Sequence, residues 1–395
     1  MICYNKEWLS NLKIQEQVNL AHQLGDVSTE ELKLVEAKYP VGFYTPNIFM
    51  RTGIFLLTLV ILGFGMGLLS LFMYDMKLVS SPYYLLFLGT VTYIALEYMV
   101  REKHHYQSGA DDALMWVAAG LFLSAYLLFM DLAFRTSTFR YEEIFVCGFC
   151  FLLAGYFTLR FADALMAITT VLAFMAFVFY SWLKTSAYAL QTMPFIMMVI
   201  SGAIYYVSDL LERRKTYLFY GNALIAVSVL SLILFYLSGN YFVVRELSAS
   251  MGSEGLAEAK TVPFGWFFWI WTFMVPLLYI GFGLKRKDVV LLRTGLILIA
   301  AAAFTLKNYH YIAATELLLA GTGVALIAVA WAAISYLKVP KNGFTANEIE
   351  DGNVLNNIQV ESLIVGETLS GTQSGQNLHQ MGGGDFGGGG ASGNF

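Results

Sequence analysis

The chain has 395 residues, of which 57% are hydrophobic and only 13% are charged. Soluble globular proteins carry about 25% charged residues, so this composition excludes that class. The net charge of −4 and the lack of any Lys/Arg-rich stripe argue against a nucleic-acid partner. Because the first 50 residues are polar, we expect no cleavable signal peptide.

The N-terminal region, residues 5–39, has the pattern of two short amphipathic helices. The apolar face of the first comprises Trp8, Leu9, Leu12, Val18 and Leu24. Gly25 interrupts the pattern. Ser28 and Glu31 then form a capping-box signature, and the second helix must stop before Pro40. The sequence therefore predicts a small helical hairpin at the membrane surface, too small to bury a core of its own.

The stretch from Thr52 to Tyr74 contains no charged residue and is long enough to cross a hydrocarbon core of about 30 Å. Backbone groups in lipid must bond one another, so it must be a helix. Similar stretches continue as far as Lys338 and predict an all-α membrane protein with about ten transmembrane helices. They lie near 52–74, 82–100, 113–134, 144–159, 161–183, 187–211, 216–238, 263–284, 289–306 and 312–337. Nine spans is the alternative, because a single short polar turn interrupts 144–183.

The distribution of Lys and Arg predicts the orientation. With ten spans and the N-terminus inside, 16 of these residues lie in inside segments and 7 in outside loops. Positive residues accumulate on the cytoplasmic side, so both termini are expected in the cytoplasm of a bacterial inner-membrane protein. The one long outside loop, 239–262, has no cluster typical of a site.

The C-terminal region, residues 339–395, is polar and rich in Asn, Gln, Ser and Gly. Its last 14 residues contain eight glycines and too little apolar surface to offset the entropy of ordering. The sequence thus predicts three parts: a cytosolic hairpin at 1–50, a transmembrane domain at 51–338 and a flexible tail at 339–395.

The residues leading into the first span are LGDVSTEELKLVEAKYP (24–40), then Tyr44, Pro46, Asn47 and Arg51. This region resembles the start of the bacterial DUF2157-like membrane proteins, in which a cytosolic helical hairpin likewise precedes a run of spans. The stretch LLRTGLILIAAAAFTLKNYHY (291–311) is similar to their closing helix pair. The terminal GGGGASGNF is similar to Gly-rich tails of TPM-domain envelope proteins, although no TPM domain is present. The resemblance implies a polytopic membrane protein without an established activity and supplies no catalytic residues.

Charged residues within spans are candidate functional residues, because an unpaired charge at mid-bilayer costs about 2.5–3.5 kcal/mol. Most acids here have a basic residue one helical turn away, which we interpret as interfacial pairs that ease insertion. These pairs are Glu97 with Arg101, Asp131 with Arg135, Asp209 with Arg213, and Asp163 with Arg160.

Two charged residues lack such a neighbour, namely Arg293 and Glu316. Each must pair with another helix, reach water or extend to the membrane surface. His310 and Lys307 lie close to Glu316 in depth, and together they form a candidate site for a proton or small anion at the outer face. An aromatic belt with incidental polar neighbours is the simpler interpretation.

Three other patterns have structural interpretations. His104 and His105 lie in a loop near acidic residues but lack a third spaced ligand, so we expect no metal site. Cys147 and Cys150 lie within a span, where cysteines behave as small apolar residues. The Gly63-x-x-x-Gly67 motif predicts close helix packing in the first span.

No pattern of catalytic residues is visible, and no cofactor is implied. Our leading hypothesis is a non-enzymatic integral membrane protein, contacting lipid, that assembles with protein partners through the N-terminal hairpin and the C-terminal tail. The alternative is a small-solute or ion transporter that uses Glu316 and Arg293.

Overall fold

The computed structural model describes residues 2–23, 25–74, 81–134, 140–186, 188–251 and 264–309, with single positions elsewhere as far as 335. Within these residues the chain is helical and forms no β-strand beyond one isolated bridge. The twelve helices are α1 (Lys6–Gln23), α2 (Thr29–Lys38), α3 (Ile48–Met73), α4 (Pro82–Arg101), α5 (Ala110–Phe134), α6 (Glu142–Phe161), α7 (Ala164–Thr185), α8 (Ala189–Glu212), α9 (Gly221–Gly239), α10 (Tyr241–Met251), α11 (Gly265–Arg286) and α12 (Val289–Tyr309).

Nine helices of the described chain are long and apolar enough to cross a membrane. They are α3 to α9, α11 and α12, with α9 lengthened at its start by a 3-10 turn over Lys215–Tyr220. The prediction of an all-α membrane fold is therefore confirmed. The tenth predicted span, 312–337, and the predicted tail, 339–395, lie outside the described residues apart from single positions in the span.

The region 144–183 contains two helices, so the nine-span alternative is wrong at this point. Ala162 adopts a left-handed conformation with φ of 53°, which ends α6. The Asp163 side chain then accepts a hydrogen bond from the Met166 backbone N–H at 2.7 Å and caps the start of α7. A turn of two residues thus separates two spans.

The predicted N-terminal hairpin is confirmed. Helices α1 and α2 flank the break at Gly25, and Ser28 and Glu31 form the predicted capping box. The Glu31 N–H donates to Ser28 Oγ at 3.3 Å, and the Ser28 N–H donates to Glu31 Oε2 at 2.9 Å. Helix α2 ends at Lys38, two residues before Pro40. We call the side of the bundle on which this hairpin lies the hairpin side.

The spans pack as antiparallel pairs in chain order: α4 with α5, α6 with α7, α8 with α9, and α11 with α12. Helix α3 packs mainly against α5 and leaves most of its surface exposed. Within the predicted outside loop, residues 241–251 form α10, which is too short to cross a membrane, and residues 252–263 lie outside the described chain. The largest apolar cluster joins the N-terminal residues to α4, α5 and α6, with Tyr4 packed against it from the hairpin side.

Candidate functional site on the hairpin side

Glu97 lies at the centre of a charged network near the hairpin side of α4. Helical spacing places Tyr93 and Arg101 one turn before and after it on the same face. The Arg101 guanidinium pairs with the Glu97 carboxylate at 2.8 Å, which confirms the predicted pair. Arg160, from the end of α6, donates to the same carboxylate from Nε at 2.8 Å and from Nη2 at 3.0 Å. The Tyr93 hydroxyl donates to it at 2.7 Å.

The start of the chain completes this network. The Cys3 N–H donates to the Arg160 carbonyl at 2.9 Å, and the Cys3 thiol donates to Glu97 Oε2 at 3.4 Å. Burial raises the pKa of this thiol, although its contact with Arg101 acts in the opposite direction. Glu97 already accepts from two guanidinium groups and a hydroxyl, so it is a poor base for the thiol. The arrangement anchors the chain rather than activating a nucleophile.

Tyr4 fixes the position of the N-terminal segment. Its side chain is buried and makes edge-to-face contacts with Phe43, Tyr106 and Phe161. Such aromatic pairs contribute about 0.5–1.5 kcal/mol each beyond the area they bury. Burial raises the pKa of Tyr4 well above its ordinary value and that of Tyr106 to about 12. Both phenols are therefore neutral at physiological pH.

A second polar cluster lies next to this segment at the start of α5. Asp111 is buried and accepts from the backbone N–H groups of Gln107 and Ser108, each at 2.9 Å. Asp112 pairs with Arg51 of α3 at 2.8 Å. With Asp163 they border a small cavity of about 10 Å³. Each of these three acids already has a partner within the protein, since Asp163 caps α7.

The two loop histidines belong to the packing of the hairpin. The Trp8 ring lies edge-on to His104 with centroids 4.8 Å apart, and it covers Gly42 so closely that a Cβ there would clash. His105 Nδ1 lies 2.7 Å from Ser108 Oγ. Among the described residues, no three His, Cys, Asp or Glu side chains come together as metal ligands.

A third network, which is neutral, lies on the opposite side of the bundle around Asn240. Its amide nitrogen donates to the hydroxyls of Tyr236 and Thr305, both at 2.9 Å. Its amide oxygen accepts from the N–H groups of Phe242 and Val243 at 3.0 and 3.3 Å and thereby caps α10. This buried residue thus ties α9, α10 and α12 together.

The predicted intrahelical pairs have different outcomes. The pairing of Asp209 with Arg213 is confirmed at 2.9 Å. The predicted pairing of Asp163 with Arg160 is wrong, because Arg160 turns to Glu97 and Asp163 turns to the backbone of α7. The reason is geometric: α6 ends between the two residues, so their spacing does not place them on one helix face. The partner predicted for Asp131, Arg135, lies outside the described residues.

Of the predicted intramembrane site, the structure describes the side chain of Arg293 alone. It is exposed on α12 and makes no ion pair with any described residue. Lys307 lies on the same helix, but its side chain is outside the described part of the chain, as are His310 and Glu316. The joint site stays a prediction.

The helices and networks define a class: a polytopic, all-α membrane protein with a helical hairpin attached to the ends of its spans. Comparison with known proteins finds no matching family model, no similar curated protein and no similar solved structure.

Sequence reasoning missed two of the contacts that matter most here, between Glu97 and Arg160 and around Asn240. The contacts around Asn240 had a signal in the sequence, because Thr272 and Thr305 are polar residues inside apolar spans. The structure shows that both are buried. Thr272 Oγ1 accepts from the Tyr241 N–H at 3.1 Å beside Asn240.

Proposed function

We propose that this protein is a non-enzymatic integral protein of the bacterial inner membrane that binds protein partners through its N-terminal hairpin and its C-terminal tail. The family suggested by the sequence, the DUF2157-like membrane proteins, is part of this proposal. So is the orientation with both termini in the cytoplasm.

The observation that carries the proposal is the contrast between α1 and α2. Helix α1 is fastened to the rest of the chain by side-chain contacts. Lys13 donates to the Leu218 carbonyl just before α9, and Asn11 and Gln15 hold the end of α2 by donating to the carbonyls of Pro40 and Tyr39 at 2.9 and 2.7 Å. Helix α2 has no buried residue. A rigidly mounted helix with a free surface is suited to binding another protein.

Leu34 is the residue of α2 that best reports partner binding. Its side chain is 69% exposed, on a helix whose other outward residues are mostly charged. Residues near the centre of an interface carry most of its binding energy, and Leu34 is the large apolar side chain that α2 exposes. We expect Leu34→Glu to abolish stoichiometric co-purification of a partner from native membranes without lowering the amount of folded protein. Gln17→Glu, on an exposed position of α1, is the matched control. Unchanged co-purification in Leu34→Glu would refute the role of α2.

The orientation is tested separately. A cytoplasm-active reporter fused after Lys341 should be active, and a periplasm-active reporter at the same position should be silent. The opposite result would place the tail outside and remove it as a cytoplasmic binding segment.

The transport alternative rests on Arg293, a charged residue within the span α12. Arg293 makes no ion pair with any described residue. Its decisive variant is Glu316→Gln, which keeps the shape of the side chain and removes its charge. Loss of a measured ion or solute flux at normal protein levels would favour transport over partner assembly. Loss of the folded protein would instead indicate a structural ion pair.

A further inference from the structure

A groove of about 480 Å³ opens on the outer surface of the bundle between α4 and α6. We call it the α4–α6 groove. It forms because α4 packs mainly on α5 while α6 packs mainly on α7, so that a strip of α5 between them stays uncovered. Phe122 and Ala125 of α5 form its floor, and Leu86 and Leu153 lie on its two walls. Its volume falls within the range of about 300–1,000 Å³ that small-molecule sites occupy.

The lining of the groove is aromatic and almost wholly apolar. Tyr126 of α5 and Phe149 of α6 stack with centroids 4.1 Å apart and planes inclined by 9°, which closes the groove on one side. All three helices are long enough to cross a membrane, and the groove is open at the surface of the described helices, so we infer that its opening faces the hydrocarbon of the bilayer. A ligand for this groove must therefore enter from the lipid.

One end of the groove carries two hydroxyl groups. Tyr93 and Tyr156 lie with their oxygens 2.6 Å apart, and both line the groove. Tyr93 donates its proton to Glu97, which is an acceptor because it pairs with Arg160. Tyr156 therefore donates to Tyr93, and the Tyr156 oxygen keeps its lone pairs for a further donor. The polar end of the groove thus selects a hydroxyl-like group.

The dimensions fit one hydrocarbon chain. From Pro82 to Tyr93 along α4 the groove extends about 16 Å, close to half of a hydrocarbon core of about 30 Å. Tyr156 lies five residues before the end of α6, which is about 7.5 Å by helix rise. No charged side chain lines the groove among the described residues. A charged headgroup would therefore lose its hydration there without gaining a counter-ion.

We propose that the α4–α6 groove binds a long-chain amphiphile with a single uncharged hydroxyl end group. The hydroxyl donates to Tyr156, and the chain runs along α5 towards Pro82. This site is independent of partner binding at α2, since the groove shares no residue with the hairpin.

Photolabelling tests whether the groove binds such an amphiphile. The full-length protein in phospholipid nanodiscs is labelled with a photoreactive diazirine analogue of a long-chain fatty alcohol, and the modified peptides are mapped by mass spectrometry. We expect saturable labelling of α4, α5 and α6, competed by the untagged alcohol and not by additional phospholipid. Non-saturable labelling of α3 and the groove alike would identify ordinary surrounding lipid and overturn the proposal. A dimer that Leu86→Trp disrupts, without groove labelling, would assign the groove to a second copy instead.

Two pairs of variants test the ends and the body of the groove. Leu86→Trp fills it and should reduce groove labelling at least fivefold, whereas Leu57→Trp, on another exposed position in α3, should not. Tyr156→Phe removes the acceptor and should weaken alcohol binding roughly three- to tenfold, the effect of one hydrogen bond. Tyr206→Phe, on an exposed position of α8 that does not line the groove, should leave binding unchanged. Equal binding in Tyr156→Phe and Tyr206→Phe would refute the hydroxyl specificity.

Discussion

Two groups of helices, α4 with α6 and α9 with α12, are each held together by a polar network, and the two networks differ in chemistry. Around α4 and α6 the contact is charged: Glu97 bridges two guanidinium groups and the N-terminal segment. Around α9 and α12 it is neutral: Asn240 bonds two hydroxyls and two backbone groups. The comparison teaches that a membrane bundle gains cross-helix specificity from either kind of group. Charged groups demand a partner more strongly, because leaving one unpaired in low dielectric costs more.

The largest effect is expected from breaking the charged network. Glu97→Ala leaves the partly buried Arg160 without its acid, and removal of one partner of such a pair costs about 3 kcal/mol, the lower end of the range for buried pairs. Unfolding in a denaturing detergent titration measures this loss. Asp209→Ala is the control, because its pair with Arg213 is exposed to solvent and contributes little to stability. Equal losses in the two variants would show that the Glu97 network is not a cross-helix anchor.

Breaking the neutral network should have a somewhat smaller effect. Asn240→Leu preserves volume but leaves the Tyr236 hydroxyl without its donor and removes the cap of α10, for a loss of about 2 kcal/mol. The same detergent titration applies. Asn222→Leu, on an exposed position of α9, should change stability little. If Asn240→Leu lowered stability more than Glu97→Ala, the charge of the Glu97 network would not explain the relative contributions of the two networks to stability.

Two glycines test how much close backbone packing, rather than polar pairing, contributes to stability. A Cβ on Gly283 of α11 would lie 2.8 Å from the Leu292 backbone nitrogen of α12, so Gly283→Ala should cost about 1–2 kcal/mol. A Cβ on Gly63 of α3 meets no described atom within 4 Å, so Gly63→Ala should cost nothing. A loss in Gly63→Ala equal to that in Gly283→Ala would mean that α3 has a helix partner beyond the described chain.

The smallest effect is expected at the C-terminus. Deletion of residues 378–395 removes a glycine-rich segment whose composition predicts no contribution to stability. The melting temperature of the detergent-solubilised protein should stay unchanged, with the full-length chain as the reference. A drop of several degrees would show that this segment packs on the membrane domain.

The Gly63 motif shows why sequence patterns predict packing only in part. Its spacing is typical of close helix contact, yet within the described chain that face of α3 is open, while Gly283 and Gly295 mediate the close contact of α11 with α12. Spacing shows that a helix face permits close approach. Which neighbour occupies that face depends on how the whole set of helices is arranged.

Local signals predicted the elements themselves. Apolar runs of membrane-spanning length placed the nine described spans, and the capping-box residues of α2 and the interruption near Asp163 marked helix ends. These predictions succeed because backbone satisfaction in lipid and capping at helix ends depend on residues within a few positions of one another. The pair of Glu97 with Arg101 falls in the same class, since one helical turn brings the two together.

The tertiary structure alone decided the contacts between distant residues. Arg160 reaches Glu97 from 63 positions away, and Thr305 reaches Asn240 from 65. The α4–α6 groove exists because α6 packs on α7 and leaves α5 uncovered. Many lateral arrangements of apolar helices satisfy the bilayer equally well, so the choice among them depends on side-chain fit and polar pairing across helices. Those terms depend on distances in space, which spacing along the chain does not contain.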